Sequence, residues 1–530
     1  MTTIVRGWKT LVAAAFVTGT LIVGCAPTAD TPADTPAATP RATPSVAQPA
    51  ATPAPEDRLV VALPADVAGF DPRAQRAFRD ITLHGVVLEP LLSLGHDFSL
   101  APQLATAWDV DDEGRTLTLH LREGVTFHDG RSFTSEDVRF TIEAILAADD
   151  ASARGGLDTI TSVETPDPFT VVLHVDDPLR GVLIGLASIP ILPAGAGAEI
   201  DTRPIGTGPF AFDRHDAGRS LVVERYEAYW GGAPAVPGIE FRVIAEPSDR
   251  ARALIRGAAH LSQSQWSADN ERFLENDRNV RLMRTEDVSY QYLAINPARP
   301  PFDDLDVRHA LHHLIPRERI VAEVLEGRAF QAASMLAPSM PWFDPDTPVY
   351  AYDVERAREL IAGSDTASFD RTYTVLTNVN PIRQAIAEAL VASFAQIGMR
   401  AEVEVLEFGT YLDRVYGGDY DMYILGLAQT YNVTHLLAGY ALASGQNNRV
   451  GFNDAEAEAM LREAAGLDPT SPEAVASYRE VANRLVSFSA HVFLTHGVVT
   501  GAARAEVEGW NPHPVAELAY QDLHLVRLRR

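Results

Sequence analysis

The chain has 530 residues, 46% hydrophobic and 22% charged, an ordinary globular composition with length for several domains. Its 71 acidic residues outnumber 44 basic ones for a formal charge of −27, which leaves little for a phosphate-binding surface and argues against nucleic acid as a partner. The only lysine is Lys9 and the only cysteine is Cys25, so lysine-dependent phosphate or Schiff-base chemistry, disulfides, thiol catalysis and cysteine-rich metal centres are excluded from the folded part.

In chain order, Arg6 and Lys9 precede an apolar run, Leu11 to Val23, that closes on Leu21-Ile22-Val23-Gly24-Cys25. About 13 apolar residues fall short of the roughly 20 that span a bilayer, and the pattern is that of a secretory signal over residues 1–24. Its ending resembles a bacterial lipobox. That resemblance implies acylation of Cys25 and anchoring on the extracytoplasmic face of the bacterial cytoplasmic membrane. Residues 25–57 then read as a tether rich in Pro, Ala and Thr, with prolines at 27, 32, 36, 40, 44, 49, 53 and 55, a composition that cannot bury a core.

The folded part opens with Leu59-Val60-Val61-Ala62-Leu63, apolar throughout as a strand covered on both faces would be. Further on, the residues around Asp111-Asp112-Glu113-Gly114 predict a hairpin turn, Asp129-Gly130 a second turn, and Thr134 the cap of a helix with Val138, Ile142 and Ile145 inward. Arg371 to Thr377 predicts a strand, Asn380-Pro381 the cap and first position of a helix running to Ile397, and Gly398 its end. Ala401 to Val405 resumes as a strand, so the three form a βαβ unit with parallel pairing. Two helices follow, one capped by Asn453 and ending at Gly466, the other opened by Ser471-Pro472. The expected class is α/β or mixed, with several sheets.

Several blocks carry a family resemblance: Leu100-Ala101-Pro102-Gln103-Leu104-Ala105, Phe127-His128-Asp129-Gly130, Ile205-Gly206-Thr207-Gly208-Pro209-Phe210, Tyr229-Trp230-Gly231-Gly232, Pro301-Phe302-Asp303-Asp304 and Asp419-Tyr420-Asp421. In this order they resemble the family 5 extracellular solute-binding proteins, the peptide and nickel receptors of ABC importers. The resemblance implies an α/β, two-lobed periplasmic-binding-protein-like fold with an extra inserted domain, the cluster C type. By the motifs, lobe 1 is discontinuous over 58–87, 204–291 and 499–530, the inserted domain is 88–203, and lobe 2 is 292–498. It further implies a monomer without cofactor or catalysis, whose partners are a peptide or other small solute and the permease subunits of an importer.

Carried over position by position, the resemblance selects Arg76 and Phe78 after the Asp71-Pro72 pair, the run Gln263-Ser264-Gln265-Trp266, Tyr292, and Arg383 early in the helix after Asn380. Amides, a hydroxyl and rings suit hydrogen bonding and stacking against an extended solute. The late loop departs from the family pattern. Peptide receptors usually carry Gly-Trp and, three residues on, an Asp for the ligand's ammonium; here Leu427 stands for the Trp and Thr430 for the Asp, followed by Tyr431 and Asn432. A buried ammonium without a carboxylate is costly, so recognition of a free amino terminus in the usual way is not expected. His309, His312 and His313 share one helical face, which permits a metal site but has no thiolate partner. The expected function is solute capture for import, with peptides first and an oligosaccharide, a nickel or other metal chelate, or another organic solute as alternatives. A lipid-anchored hydrolase is the competing class, although neither Gly-x-Ser-x-Gly nor His-Glu-x-x-His occurs.

Overall fold

A computed structural model describes residues 58–74, 85–111, 114–148, 156–177, 181–264, 266–364, 368–427 and 431–529. The first strand, β1 (Leu59–Leu63), is buried at every position. Next come the short pair β2 (Leu92–Leu94) and β3 (Leu100–Pro102), then a four-stranded antiparallel sheet in the order β4-β5-β7-β6, built from β4 (Ala105–Val110), β5 (Thr116–Leu121), β6 (Ile160–Asp167) and β7 (Thr170–Val175). Helix α1 (Ser135–Leu146) starts at Thr134, whose backbone N–H is taken by Asp137 at 2.7 Å, and buries Val138, Ile142 and Ile145 as the spacing predicts.

One large sheet organises the rest. Its strands are β8 (Phe210–Asp216), β9 (Ser220–Arg225), β10 (Gly238–Val243), β11 (Leu261–Gln263), β12 (Val280–Ile295), β13 (Phe330–Gln331), β14 (Thr372–Asn378), β15 (Arg400–Leu406), β16 (Met422–Leu427) and β17 (His491–Arg504), together with β1. The order is β15-β14-β16-β12-β17-β11-β1-β10-β9-β8, with β13 beside β17; β18 (Val507–Glu508) and β19 (Arg527–Leu528) pair separately. Strand β1 runs parallel to β10 and β11, and β14 parallel to β15 and β16.

Side chains that alternate along these strands enter different cores, so the sheet is covered on both faces. Leu59, Val61 and Leu63 pack with Phe241 and Tyr520, whereas Val60 and Ala62 pack with Leu254 and Leu274. Further along, Leu293, Ile295, Met422 and Ile424 pack against α2 (Leu305–His313) and α3 (Pro381–Phe394), while Tyr290, Tyr292, Tyr423 and Leu425 face α4 (Phe408–Tyr416) and α5 (Val433–Ala441).

Helix α3 has the predicted start: Asn380 Oδ1 accepts from Arg383 N at 3.0 Å and Pro381 occupies the first turn. A 3₁₀ turn, Ala395–Ile397, completes it before Gly398. Helix α6 (Ala455–Ala465) begins one residue later than expected. Asp454, not Asn453, is its cap, because its carboxylate takes the N–H groups of Glu456 and Ala457 and also meets Arg484 at 3.0 Å. Helix α7 (Pro472–Ser487) opens on Ser471 as predicted.

Separate sequence blocks meet at one buried acid. Glu89 is wholly inaccessible, and its carboxyl oxygens accept from Gln103 Nε2 at 2.6 Å, Tyr229 Oη at 2.9 Å and Trp230 Nε1 at 3.0 Å. Burial pushes its pKa up to about 7.

Candidate functional site

Strands β12 and β17 are the long members of the sheet and join its two halves. They pair from Val280↔Arg504 to Glu286↔Val498, lose register, and pair again from Tyr290↔His496 to Ala294↔His491. In the break, Asp287 Oδ2 accepts from Ser289 Oγ at 2.7 Å, and burial raises the Asp287 pKa. Opposite lies Gly497, where a Cβ would come 2.7 Å from Ser289 Oγ and 3.0 Å from Asp287 Oδ2, so a side chain there would displace this hydroxyl–carboxylate pair. A bulge in a two-strand crossing is where a sheet bends most readily.

The strand directions place the carboxyl ends of both halves at this crossing. Gln263, the last residue of β11, pairs with Gly501 on one side; Leu427, the last of β16, pairs with Tyr290 on the other, and β14 ends alongside at Asn378. In open α/β sheets ligands bind outside the carboxyl ends of the strands, and here two such ends face each other across two strands.

On the β11 side, Gln263 is committed internally: its Nε2 donates to His513 O at 3.1 Å and its Oε1 accepts from His513 N at 3.0 Å. Ser264 is half-buried, its hydroxyl 3.4 Å from that of Ser262. The Trp266 ring does not line a cleft: it is buried with Val60, Leu254 and Leu274, with the Arg250 guanidinium 5.5 Å from the ring centre. Its carbonyl accepts from Arg328 Nη1 at 3.1 Å.

On the β16 side, Tyr292 belongs to a buried phenol cluster. Tyr290 Oη donates to Tyr440 Oη at 2.9 Å, Tyr292 and Tyr423 bring their hydroxyls to 3.5 Å, and Tyr420 and Tyr411 pack edge-on against Tyr423. Burial pushes Tyr290, Tyr292 and Tyr440 well above the usual phenol range, so they are neutral donors and acceptors at any physiological pH. Arg383 is half-buried, with Nε on Gln291 Oε1 at 3.0 Å and Nη1 on Asn378 Oδ1 at 2.9 Å; burial lowers its pKa. Leu427 is half-buried. Tyr431 Oη lies 3.2 Å from Ser188 Oγ, and Asn432 caps α5 while its Nδ2 donates to Gly181 O at 3.3 Å. Cys25, Arg76, Phe78, Gln265 and Thr430 lie outside the described residues.

Whereas Tyr431 and Asn432 contact Ser188 and Gly181, the structure brings Ser264, Arg383 and Leu427 to the crossing and adds Gln291 and Asn378. Their signal was weak in sequence, an amide beside Tyr292 and an amide closing a strand. The three helix histidines gather around one ring: Tyr350 lies 5.5 Å from His309, 4.5 Å from His312 and 5.3 Å from His313. His312 is buried and its pKa falls well below the usual range, as expected of a packed imidazole. Among the described residues no group of three or more His, Cys, Asp or Glu side chains is placed to hold a metal ion, and no helix is long and apolar enough to cross a membrane.

The sequence profile of the bacterial extracellular solute-binding proteins, family 5 (middle), matches residues 99–449, more than half of the chain. The chain belongs to this family. Among relatives of this solute-binding protein, a dipeptide-binding protein from Escherichia coli is 24% identical over 509 residues, covering 88% of this chain and 94% of its own. A heme-binding protein A from Haemophilus influenzae is 27% identical over 406 residues, covering 69% and 74%. The solved structure of HbpA2 from Haemophilus parasuis superposes with a TM-score of 0.81 at 20% identity, covering 89% of this chain and all of that one. The fold is the two-lobed one of periplasmic binding proteins, mixed α/β.

Proposed function

We propose that this solute-binding protein captures a peptide or similarly extended small solute between its lobes and hands it to the permease of an ABC importer while tethered by lipid on Cys25 at the extracytoplasmic membrane face. The observation that carries this reading is the pair of opposed strand ends across the β12–β17 crossing. Two lobes joined by two bulged strands can close on a solute and open again, and a solute stabilises the closed form only by binding it better than the open one. Neutral hydrogen-bonding groups supplied by Ser264, Gln291 and Asn378 suit peptide-like amides. Exposed Val379, Ile382, Val405 and Phe408 at the lobe-2 end offer apolar surface beside them. We assign the domains as lobe 1 at 58–87, 204–291 and 499–530, the inserted domain at 88–203 and lobe 2 at 292–498. The name of the E. coli relative favours peptides as the solute class, and that of the H. influenzae relative keeps a larger organic solute as the second reading.

The test is calorimetric titration of the soluble protein, residues 26–530, with di-, tri- and tetrapeptides. Micromolar or tighter binding supports the reading. Absence of binding by all of them, with binding by a non-peptide solute, replaces it with the second.

A further inference from the structure

Exposed arginines gather at the pole of lobe 1 opposite the cleft. Strands β1 and β11 start at this pole, and β12 starts where β17 ends, so Arg58, His260, Val280 and Arg504 lie along one rim of the sheet. The helix Pro247–Ile255 brings Arg256 to that rim, where a Cβ on the next residue, Gly257, would sit 3.5 Å from the Arg504 guanidinium. Ala505 N donates to Asn279 O at 2.7 Å and Arg529 N to Glu506 O at 2.8 Å, which places Arg278 and the β18–β19 pair at the same rim. Arg256, Arg278, Arg281 and Arg527 are exposed there, and among the described residues none of the four pairs with an acid. Glu224 is taken by Arg58, Glu506 by Arg504 and Glu508 by Arg529, while the Asp277 carboxylate accepts from Asn279 N at 2.8 Å.

The charge of the whole chain is divided in the same sense. With the lobe boundaries assigned above, lobe 1 holds 20 acids and 19 arginines, whereas the inserted domain holds 20 acids and 7 arginines and lobe 2 holds 27 and 15. A chain of −27 therefore has one nearly neutral lobe, with unpaired cations at one end of it. The chain also enters the fold at this end: Arg58, next to the start of β1, follows the segment 25–57 that leads back to Cys25. Leu525, 57% exposed, lies beside the arginines, its carbonyl oxygen 2.7 Å from where a Cβ on Gly509 would sit.

We infer that this pole is a docking surface for the anionic phospholipid headgroups of the membrane to which that segment leads, with Arg256, Arg278, Arg281 and Arg527 as the headgroup contacts and Leu525 as an apolar contact. The inference goes beyond solute capture and takes from the proposed function only the lipid anchor at Cys25. A guanidinium meets a phosphodiester through paired hydrogen bonds, and each basic residue held near an anionic surface strengthens binding about fivefold. The acidic inserted domain and lobe 2 are repelled by the same surface, so docking holds the lobe 1 pole down and leaves the other two parts on the solution side. The attraction falls off within a Debye length, about 10 Å at 0.1 M salt, so it acts on the groups at the pole itself.

The experiment is sedimentation of residues 26–530, without acyl anchor or solute, with vesicles of about 30% phosphatidylglycerol in phosphatidylcholine and with vesicles of phosphatidylcholine alone, in about 50 mM salt. Wild type should bind the anionic vesicles at least about tenfold more tightly than the neutral ones, and about 0.5 M salt should remove the difference. Arg256→Gln, Arg278→Gln, Arg281→Gln and Arg527→Gln combined should weaken binding to the anionic vesicles by about tenfold or more. A matched control on the exposed surface of lobe 2, Arg319→Gln, Arg356→Gln, Arg358→Gln and Arg462→Gln combined, changes net charge equally and should bind as wild type does. Each variant is checked for an unchanged melting profile, and the four single pole variants take the place of the combined one if its profile shifts. Equal binding to the two kinds of vesicle, or a pole variant that binds as tightly as wild type, overturns the docking surface. A control that weakens binding as much as the pole variant assigns the effect to net charge and overturns it too. Displacement from the vesicles by about 10 mM glycerol phosphate at matched ionic strength would make the pole a site for a free phosphate ester, and would overturn the assignment to a membrane surface. Because no solute is present, failure here leaves solute capture untouched.

Discussion

Glu89 offers a prediction whose size follows from the structure. Its carboxyl group is fully buried among Gln103, Tyr229 and Trp230, and its pKa rises from the unfolded value of 4.5 to about 7 in the fold. A folded pKa above the unfolded one means that the unfolded chain releases the proton first. The stability associated with the protonated acid is therefore fully present below about pH 4.5 and is lost as pH rises through about 7. At 1.36 kcal/mol per unit, the shift corresponds to about 3 kcal/mol in full, of which roughly 2 to 3 kcal/mol falls between pH 5 and 8.5. Glu89→Gln keeps the shape and cannot ionise; with Gln103 turned over, its amide can donate to Gln103 and Tyr229 and still accept from Trp230. Urea unfolding of both proteins at pH 5, 7 and 8.5 isolates the effect, since all other titrations are shared. Wild type should lose about 2 to 3 kcal/mol more than the variant across that range. Equal losses in the two proteins would refute the argument.

Asp421 is almost wholly inaccessible and receives both Arg371 Nη atoms at 2.8 Å and Thr374 N at 3.1 Å, while the Arg371 side chain stays 44% exposed, so Asp421→Ala should cost about 1 to 3 kcal/mol in urea unfolding, mostly from the unsatisfied Thr374 N–H; a cost below about 0.5 kcal/mol would show the cluster to be solvated. Cys25→Ser should release the protein from membranes in cell fractionation with solute affinity unchanged, whereas a released, folded protein that binds more weakly would give Cys25 a second role. On the proposed match of Thr430 to the position where peptide receptors carry an Asp, acetylating a peptide's amino terminus should change its affinity by less than about tenfold in calorimetry, and a loss beyond about a hundredfold would mean that another acid serves the ammonium.

Local features were legible in the sequence, and distant ones were not. Asn380-Pro381 and Ser471-Pro472 announce their helices because a cap and its partner N–H groups lie within three residues. Asn453 and Asp454 are both able to cap, and the choice fell to Asp454 because Arg484, thirty residues on, holds its second oxygen. Gln263 reads as a ligand amide until His513, 250 residues away, occupies both ends of it. Trp266 reads as a stacking ring until α-helical neighbours around Leu254 and Leu274 enclose it. The motif blocks around Gln103 and Tyr229-Trp230 carry the family resemblance, and their physical reason, a shared buried acid, required the fold. Gln291 and Asn378 gained meaning only when β12, β14 and β16 were placed side by side.

The central claim is that closure about the β12–β17 crossing captures the solute, and small-angle X-ray scattering measures it most directly. The protein would be examined as purified, after its solute is stripped by unfolding and refolding, and after a bound solute identified by titration is restored. The account predicts a larger radius of gyration in the stripped protein and a return to the smaller value on saturation. An unchanged radius across the three states, with binding demonstrated in the same samples, would contradict it.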